Sequence, residues 1–275
     1  MAIVNRTPDS FFDRGATFAP DAARRAVERA VLDGADIIDI GGVKAGPGDT
    51  VDVPEEIART VSTVAAVRAE YPQIVISIDT WRAEVAREAV AAGADLINDT
   101  WAGADARLAE VAAATGAGLV CSHAGGLRPR TRPHRAAFLD VVTDVTGTVT
   151  RLADRAVAVG VRRDGILIDP AHDFGKNTRH SLELTRRLGE LVDTGWPVLV
   201  ALSNKDFVAE TLAESLDPLP VGDRLEGTLA ATAVSAWLGA RVFRAHHVRQ
   251  TRRVLDMVAA IRGARQPAVS RRGLA

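Results

Sequence analysis

The sequence predicts a single-domain α/β protein folded as a TIM (β/α)8 barrel, and three observations carry that prediction. Eight short runs rich in Ile, Val and Leu recur along 275 residues, each followed by a longer Ala-, Arg- and Glu-rich stretch. The runs are nearly all apolar instead of alternating, as strands covered on both faces are. Glycine joints recur where a helical stretch hands over to the next run. An open doubly wound sheet is the alternative, and the count of eight favours the barrel.

Each element can be justified in order. The first strand is Ala2–Asn5, and Ala22–Leu32 follows with apolar residues three and four apart. Gly34-Ala35-Asp36 is the joint before strand two, Ile37–Ile40. Gly41–Val53 reads as a mobile loop, and Ile57–Val67 has helical spacing again. Strand three is Ile74–Asp79; Gly93-Ala94-Asp95 then leads into strand four, Leu96–Asn98. Gly116-Ala117-Gly118 opens strand five, Gly118–Cys121. The gap from Ala124 to Arg135, with its glycines, prolines and arginines, predicts a second mobile loop. Strands six and seven are Ile166–Asp169 and Val198–Ala201; Gly239-Ala240-Arg241 precedes strand eight, Val242–Ala245. The barrel is expected to occupy residues 1–263, with a short, basic, frayed tail over 264–275.

Composition narrows the function classes. Lys and Arg number 34 against 35 Asp and Glu, so the basic excess of a nonspecific nucleic-acid binder is missing. Cys121 is the only cysteine, which excludes an intrachain disulfide and a multi-Cys metal site. No apolar run is long enough to span a bilayer, and the first residues do not read as a signal peptide. A reducing cytoplasm is the expected location.

The strand ends carry the chemistry. In this fold the C-terminal ends of the strands form the active face. They carry Asn5, Asp39, Asp79, Asn98, His123, Asp169, Ser203 with Lys205, and Arg244 with His246. A single Asp there is usually a helix cap; polar groups at all eight ends predict a small-molecule site. Asp79, Asn98, Asp169 and Lys205 suit the edge of a flat heterocycle with ring N–H and amide groups. Arg244, His246 and Asn5 suit a phosphate or pyrophosphate with magnesium. Gly41–Gly48 lacks the spacing of a nucleotide-binding loop, and His246-His247 lacks a third ligand for zinc. Cys121 reads as a core thiol. Trp81 and Trp101 are expected to flank the site, Trp196 and Trp237 to pack, and Asp9 and Asp13 to serve as caps and turns.

Seven segments together resemble the dihydropteroate synthase family over about residues 2–262. They are Asn5-Arg6-Thr7-Pro8-Asp9-Ser10-Phe11, Asp39-Ile40-Gly41-Gly42, Ser77-Ile78-Asp79-Thr80, Ile97-Asn98-Asp99, Asp169-Pro170 with Phe174-Gly175-Lys176, Ser203 with Lys205, and Arg244 with His246. The resemblance implies a homodimer that condenses 6-hydroxymethyl-7,8-dihydropterin pyrophosphate with 4-aminobenzoate and releases pyrophosphate. It also implies sulfonamide or sulfone binding in the aminobenzoate pocket. It assigns the pterin to Asp39, Asp79, Asn98, Asp169 and Lys205, and the pyrophosphate to Asn5, Arg244 and His246. Asn5 would be the ligand of Mg2+; Lys205, Arg244 and His246 would be the catalytic groups.

The sequence departs from that pattern around the anion. The family's Gly-Gly-Glu-Ser-Thr-Arg-Pro-Gly reads Gly41-Gly42-Val43-Lys44-Ala45-Gly46-Pro47-Gly48 here, so a hydroxyl and a guanidinium are gone. Ser-Arg-Lys reads Ser203-Asn204-Lys205, Asp173 stands at a usual glycine, and His247 at a usual Asp. Each lost oxyanion-type donor typically costs about two to three powers of ten in rate. The expectation is a homologue with the pterin pocket kept and synthase activity weak or lost, similar to a divergent second member of the family in actinobacteria. An active synthase, with Lys44 or an arginine from Arg128–Arg135 standing in, is the alternative. A methyltetrahydrofolate-dependent methyl-transfer barrel is a third reading.

Overall fold

A computed structural model of the chain describes residues 1–8, 15–131 and 137–272. Asp9, Asp13, Arg132 and Arg135 lie outside the described residues. Six parallel strands pair in chain order: β1 (Ala2–Asn5), β2 (Ile37–Gly41), β3 (Val75–Asp79), β4 (Leu96–Asp99), β5 (Gly118–Ser122) and β6 (Ile166–Asp169). Two more, β7 (Leu199–Val200) and β8 (Val242–Phe243), pair with each other. Parallel bridges join Ile168 to Val198 and Ala2 to Ala245, which links β6 to β7 and β8 back to β1. The Ile168 N–H donates to the Pro197 carbonyl at 3.0 Å, and the Ala245 N–H to the Met1 carbonyl at 2.9 Å. The ring is therefore closed: the barrel forms and the open sheet does not.

Strands seven and eight are shorter than Val198–Ala201 and Val242–Ala245 predict. Their outer residues, Val198 and Ala245, provide the bridges to the neighbouring strands at the seam instead of extending the β7–β8 ladder.

The outer layer is α1 (Pro20–Leu32), α2 (Val53–Glu70), α3 (Ala83–Ala91), α4 (Arg107–Thr115), α5 (Val141–Ala158), α6 (Thr178–Arg186), α7 (Leu188–Val192), α8 (Asp206–Thr211), α9 (Leu225–Leu238) and α10 (Val248–Ile261). Local chemistry sets several starts. Asp52 accepts from the Glu55 N–H at 2.9 Å and caps α2; Asp140 does the same for Val142 and Thr143 at the start of α5. The four predicted joint glycines all have positive φ. At Gly93 (φ +115°) a Cβ would also lie 2.9 Å from Arg68 Cγ, and Arg68 donates to the Gly93 carbonyl.

The core lies between strands and helices. Ile38, Ile40, Ile76, Ile78, Ile97, Ile166 and Ile168 are wholly buried against a helix layer of small residues such as Ala23, Ala86, Ala89 and Ala153. β-Branched strands and alanine-faced helices let the two layers approach closely. Among the described residues no helix is long and apolar enough to cross a membrane. Residues 264–272 are exposed, although Arg265 reaches back to pair with Asp256 of α10.

Strand register positions the mouth. Asn5, Gly41, Asp79 and Asn98 stand opposite one another in one row, and Asp39 faces Ser77 one layer deeper.

Candidate functional site

The deepest group is Asp39, which is wholly buried. It accepts from Ser77 Oγ at 2.5 Å, from Asn98 Nδ2 at 3.3 and 3.4 Å, and from Arg244 Nε at 2.6 Å. Asp79 lies above it and accepts from Arg244 Nη2 at 2.8 Å and Thr100 Oγ1 at 3.4 Å. Burial pushes Asp79 up to about 7; the Arg244 charge opposes this and the Asp39 charge adds to it. Asp169 accepts from the Ala171 N–H at 2.7 Å, and burial pushes it up to about 6. Asn98 Oδ1 is buried and finds no partner among the described residues. An acceptor of that kind, beside two buried carboxylates, is what a ring with several N–H donors can satisfy.

Lys205 closes this end. Its Nζ lies 4.5 Å from the centre of the Phe174 ring, whose face holds the cation. Burial holds Lys205 below the usual lysine range, with Asp173 the largest opposing charge. Trp101 is buried and meets Phe174 edge-on at 5.4 Å, so it flanks the site as predicted. Trp81 instead stacks under Arg82, 4.8 Å from its guanidinium.

Arg244 is shared between the two halves of the site. The resemblance assigns it to the pyrophosphate, while the structure commits Nε and Nη2 to Asp39 and Asp79. Burial works against its charge, but the two carboxylates outweigh it and raise its pKa. Nη1 makes no hydrogen bond among the described residues and remains for an anion. His246 meets Ser203 twice: its backbone N–H donates to Ser203 Oγ at 3.2 Å and its ring Nδ1 lies 3.0 Å from the same oxygen. Burial, then the Arg244 charge, pushes His246 down to about 3, so it meets an anion as a neutral N–H donor. Asn5 takes its place in the rim row, its carbonyl accepting from Thr17 Oγ1 at 2.6 Å.

The departures from the family pattern divide into two kinds. In the loop after β2, nothing replaces the missing guanidinium from within: a Cβ on Gly46 would meet only Lys44 Cε, at 3.8 Å. Arg130, from the loop after β5, reaches across to it and donates to the Gly46 carbonyl at 3.4 Å and the Asp49 carbonyl at 2.6 Å. The other departures are absorbed by packing. Asn204 is buried, with Nδ2 3.5 Å from His247 Nε2, so the two substituted positions face each other. Asp173 directs its carboxylate to Ser181 Oγ and to the N–H groups of Asp206 and Phe207.

Other residues also find their places. His123 turns away from the mouth to Asp144 of α5, at 2.9 Å. Cys121 is buried and its thiol is pushed up to about 12 by burial, which makes it an inert core group. Trp196 is buried as expected, but Trp237 is 56% exposed, against the expectation that it packs. Sequence reasoning missed the supports. Lys176 is buried and donates to the carbonyls of His123, Ala171 and Phe174 at 3.2, 3.0 and 2.6 Å, which ties the loop after β6 to the end of β5. Glu56 is wholly buried between Thr80 Oγ1 and Arg82, both at 2.7 Å. A charge on a helix about one turn past its cap gives no sequence signal of burial.

Among the described residues no group of three or more His, Cys, Asp or Glu side chains is placed to hold a metal ion. A magnesium ion that keeps its waters and takes most of its oxygens from a phosphate needs no such group. The amide oxygen of Asn5 is a donor of the right hardness for one.

The pterin binding enzyme family matches residues 1–246. A Mycobacterium leprae protein named inactive dihydropteroate synthase 2 is 62% identical over all of this chain and 94% of its own length. The Mycobacterium tuberculosis Rv1207 structure is 52% identical with a TM-score of 0.75, covering 97% of this chain and 93% of that one. A Yersinia pestis dihydropteroate synthase solved with a sulfonamide drug is 34% identical with a TM-score of 0.89, covering 96% and 94%. With its closed eight-stranded barrel and these matches, the chain belongs to the pterin-binding enzyme family, as a homologue of dihydropteroate synthase.

Proposed function

We propose that this protein binds a pterin in the barrel mouth and that its synthase chemistry is weak or lost. The observation that carries the reading is a contrast at one site. Asp39, Asp79 and Asn98 are linked around Arg244, with Asp169 and Lys205 close enough to act on its charge or be acted on by it, while the loop after β2 brings no guanidinium of its own. In the family reaction pyrophosphate leaves the pterin, so donors that tighten on the departing charge supply most of the acceleration. Here Arg244 Nη1, the neutral His246 ring and Asn5 would meet that charge, and Asn5 would be the protein's ligand to Mg2+. The ion would neutralise charge on the leaving group. The names of its mycobacterial relatives support loss of activity.

A 4-aminobenzoate or sulfonamide ring would lie by Lys205 and Phe174; neighbours solved with such molecules support that class of partner. A second copy of this chain would dock on α9 and α10, where Trp237 and Ile261 are exposed. The single buried thiol suits a reducing cytoplasm.

An active synthase is the second reading, and Arg130 beside Gly46 favours it. Purified protein, pterin pyrophosphate, 4-aminobenzoate and magnesium separate the two. The wild type is expected to bind 6-hydroxymethylpterin and turn over little or nothing. Ala45→Thr with Gly46→Arg is expected to raise turnover by about a hundredfold. Ordinary synthase turnover in the wild type, lost in Arg130→Ala, would establish the second reading.

A further inference from the structure

Two successive residues of the loop after β6 hold the segment that carries Lys205. Phe174 lies under the Lys205 ammonium, 4.5 Å from ring centre to Nζ. Asp173, immediately before it, accepts from the N–H groups of Asp206 at 2.7 Å and Phe207 at 3.3 Å, the first residues of α8. Lys205 occupies the N-cap position of that helix and has no side-chain oxygen to cap it. The cap therefore comes from another loop. The second Asp173 oxygen accepts from Ser181 Oγ at 3.0 Å, and Ser181 Oγ in turn accepts from the Asp173 N–H at 3.1 Å, so the carboxylate is fixed from both sides. Asp173 adopts φ +68°, a backbone conformation that favours glycine and that a short polar side chain tolerates. A strained residue whose carboxylate is fully engaged is held there by what it engages.

We infer that Asp173 is a positioning residue: through the backbone of α8 it fixes Lys205 over Phe174, at the edge of the ring pocket. This rests on the pterin reading for the ligand but not for the contact itself. The charges around Lys205 are Asp173, Asp169 and Asp206 against Arg244, and Asp173 is the largest of them in effect.

The chain has three lysines, Lys44, Lys176 and Lys205, so 13C-labelled lysine gives a readable pH titration of each. Full-length wild type, Asp173→Gly and Asp173→Asn are compared without ligand, then titrated with 6-hydroxymethylpterin by fluorescence. Asp173→Gly accepts the backbone conformation and removes the carboxylate. The Lys205 titration is expected to move down, Lys44 to stay, and the Kd to rise about tenfold. Asp173→Asn keeps an acceptor oxygen and is expected to recover most of that affinity, while its Lys205 titration still moves down because the charge is gone. An unmoved Lys205 signal in both variants, or an unchanged Kd in Asp173→Gly, overturns the inference. Wild type that does not bind 6-hydroxymethylpterin ends the pterin reading, and the Lys205 signal then decides the role of Asp173 alone.

Discussion

Burial that is only partly compensated raises Asp79 to about 7 and Asp169 to about 6, close to neutral pH. A pterin edge offers N–H donors, and these bind an ionised carboxylate far better than a protonated one. Above pH 7 both groups are ionised. As pH falls through 7 and then 6 they take up protons that a ligand must expel. Affinity for 6-hydroxymethylpterin is therefore expected to fall on acidification, approaching about tenfold per pH unit for each group fully protonated. Fluorescence titrations between pH 8 and 5.5 check this, and Asp79→Asn should flatten the upper part of the curve. Folding stability carries opposing signs. The raised carboxylates bind protons more tightly in the folded state, so their contribution declines as pH rises from about 4 to 7. His172 and His246, both held at about 3 by burial, cost stability as pH falls below 6.5.

The element scale shows what the sequence discloses and what it hides. Strands β1 to β6 were legible because a run covered on both faces must be mostly apolar, and the mouth was legible because each run carries a polar group at or beside its end. The shortness of β7 and β8 was not, since Val198 and Ala245 look like strand but serve the seam. Contacts between loops were also hidden: Arg130 meets Gly46 across 84 positions and Asn204 meets His247 across 43, and no spacing announces either. The same holds for the joint between α2 and β3. Glu56 is wholly buried and burial raises its pKa, while the Thr80 hydroxyl and the Arg82 guanidinium oppose that rise. Arg82 also donates to the Val51 carbonyl at 2.7 Å, so it anchors the start of α2 as well. Arg82→Met would leave a buried carboxylate with one hydroxyl partner, and about 3 kcal/mol of stability is expected to go. Urea unfolding measures the loss. The deficit should shrink on acidification, because a proton on Glu56 removes the buried charge; a deficit that does not change with pH would show that the charge is not its source.

At the scale of the whole molecule, the charge balance and the apolar surface point to self-association. With a formal net charge of -1, two copies meet little mutual repulsion. Helices α9 and α10 pack side by side, and Arg262 joins them by donating to the Ala236 carbonyl at 3.1 Å beneath the Trp237 ring. Their outer faces show Val234, Trp237, Met257 and Ile261, at 48, 56, 61 and 61% exposure. Isolated apolar residues on a surface are ordinary, but four on adjoining helices, one of them a tryptophan, form the kind of centre that two-fold interfaces use. The two helices flank β8, whose end leads into Arg244 and His246, so burying their outer face would stiffen the anion end of the site in both copies. Sedimentation of the wild type at micromolar concentration is expected to give a dimer. Trp237→Glu with Ile261→Glu places like charges across the two-fold axis and is expected to raise the dimer dissociation constant at least about a hundredfold while leaving the circular dichroism unchanged. Because the pocket proposed for the pterin lies at the strand ends and these helices lie outside the barrel, the monomeric variant should still bind 6-hydroxymethylpterin. A wild type that sediments as a monomer, or a variant that stays dimeric, would place the interface elsewhere or remove it.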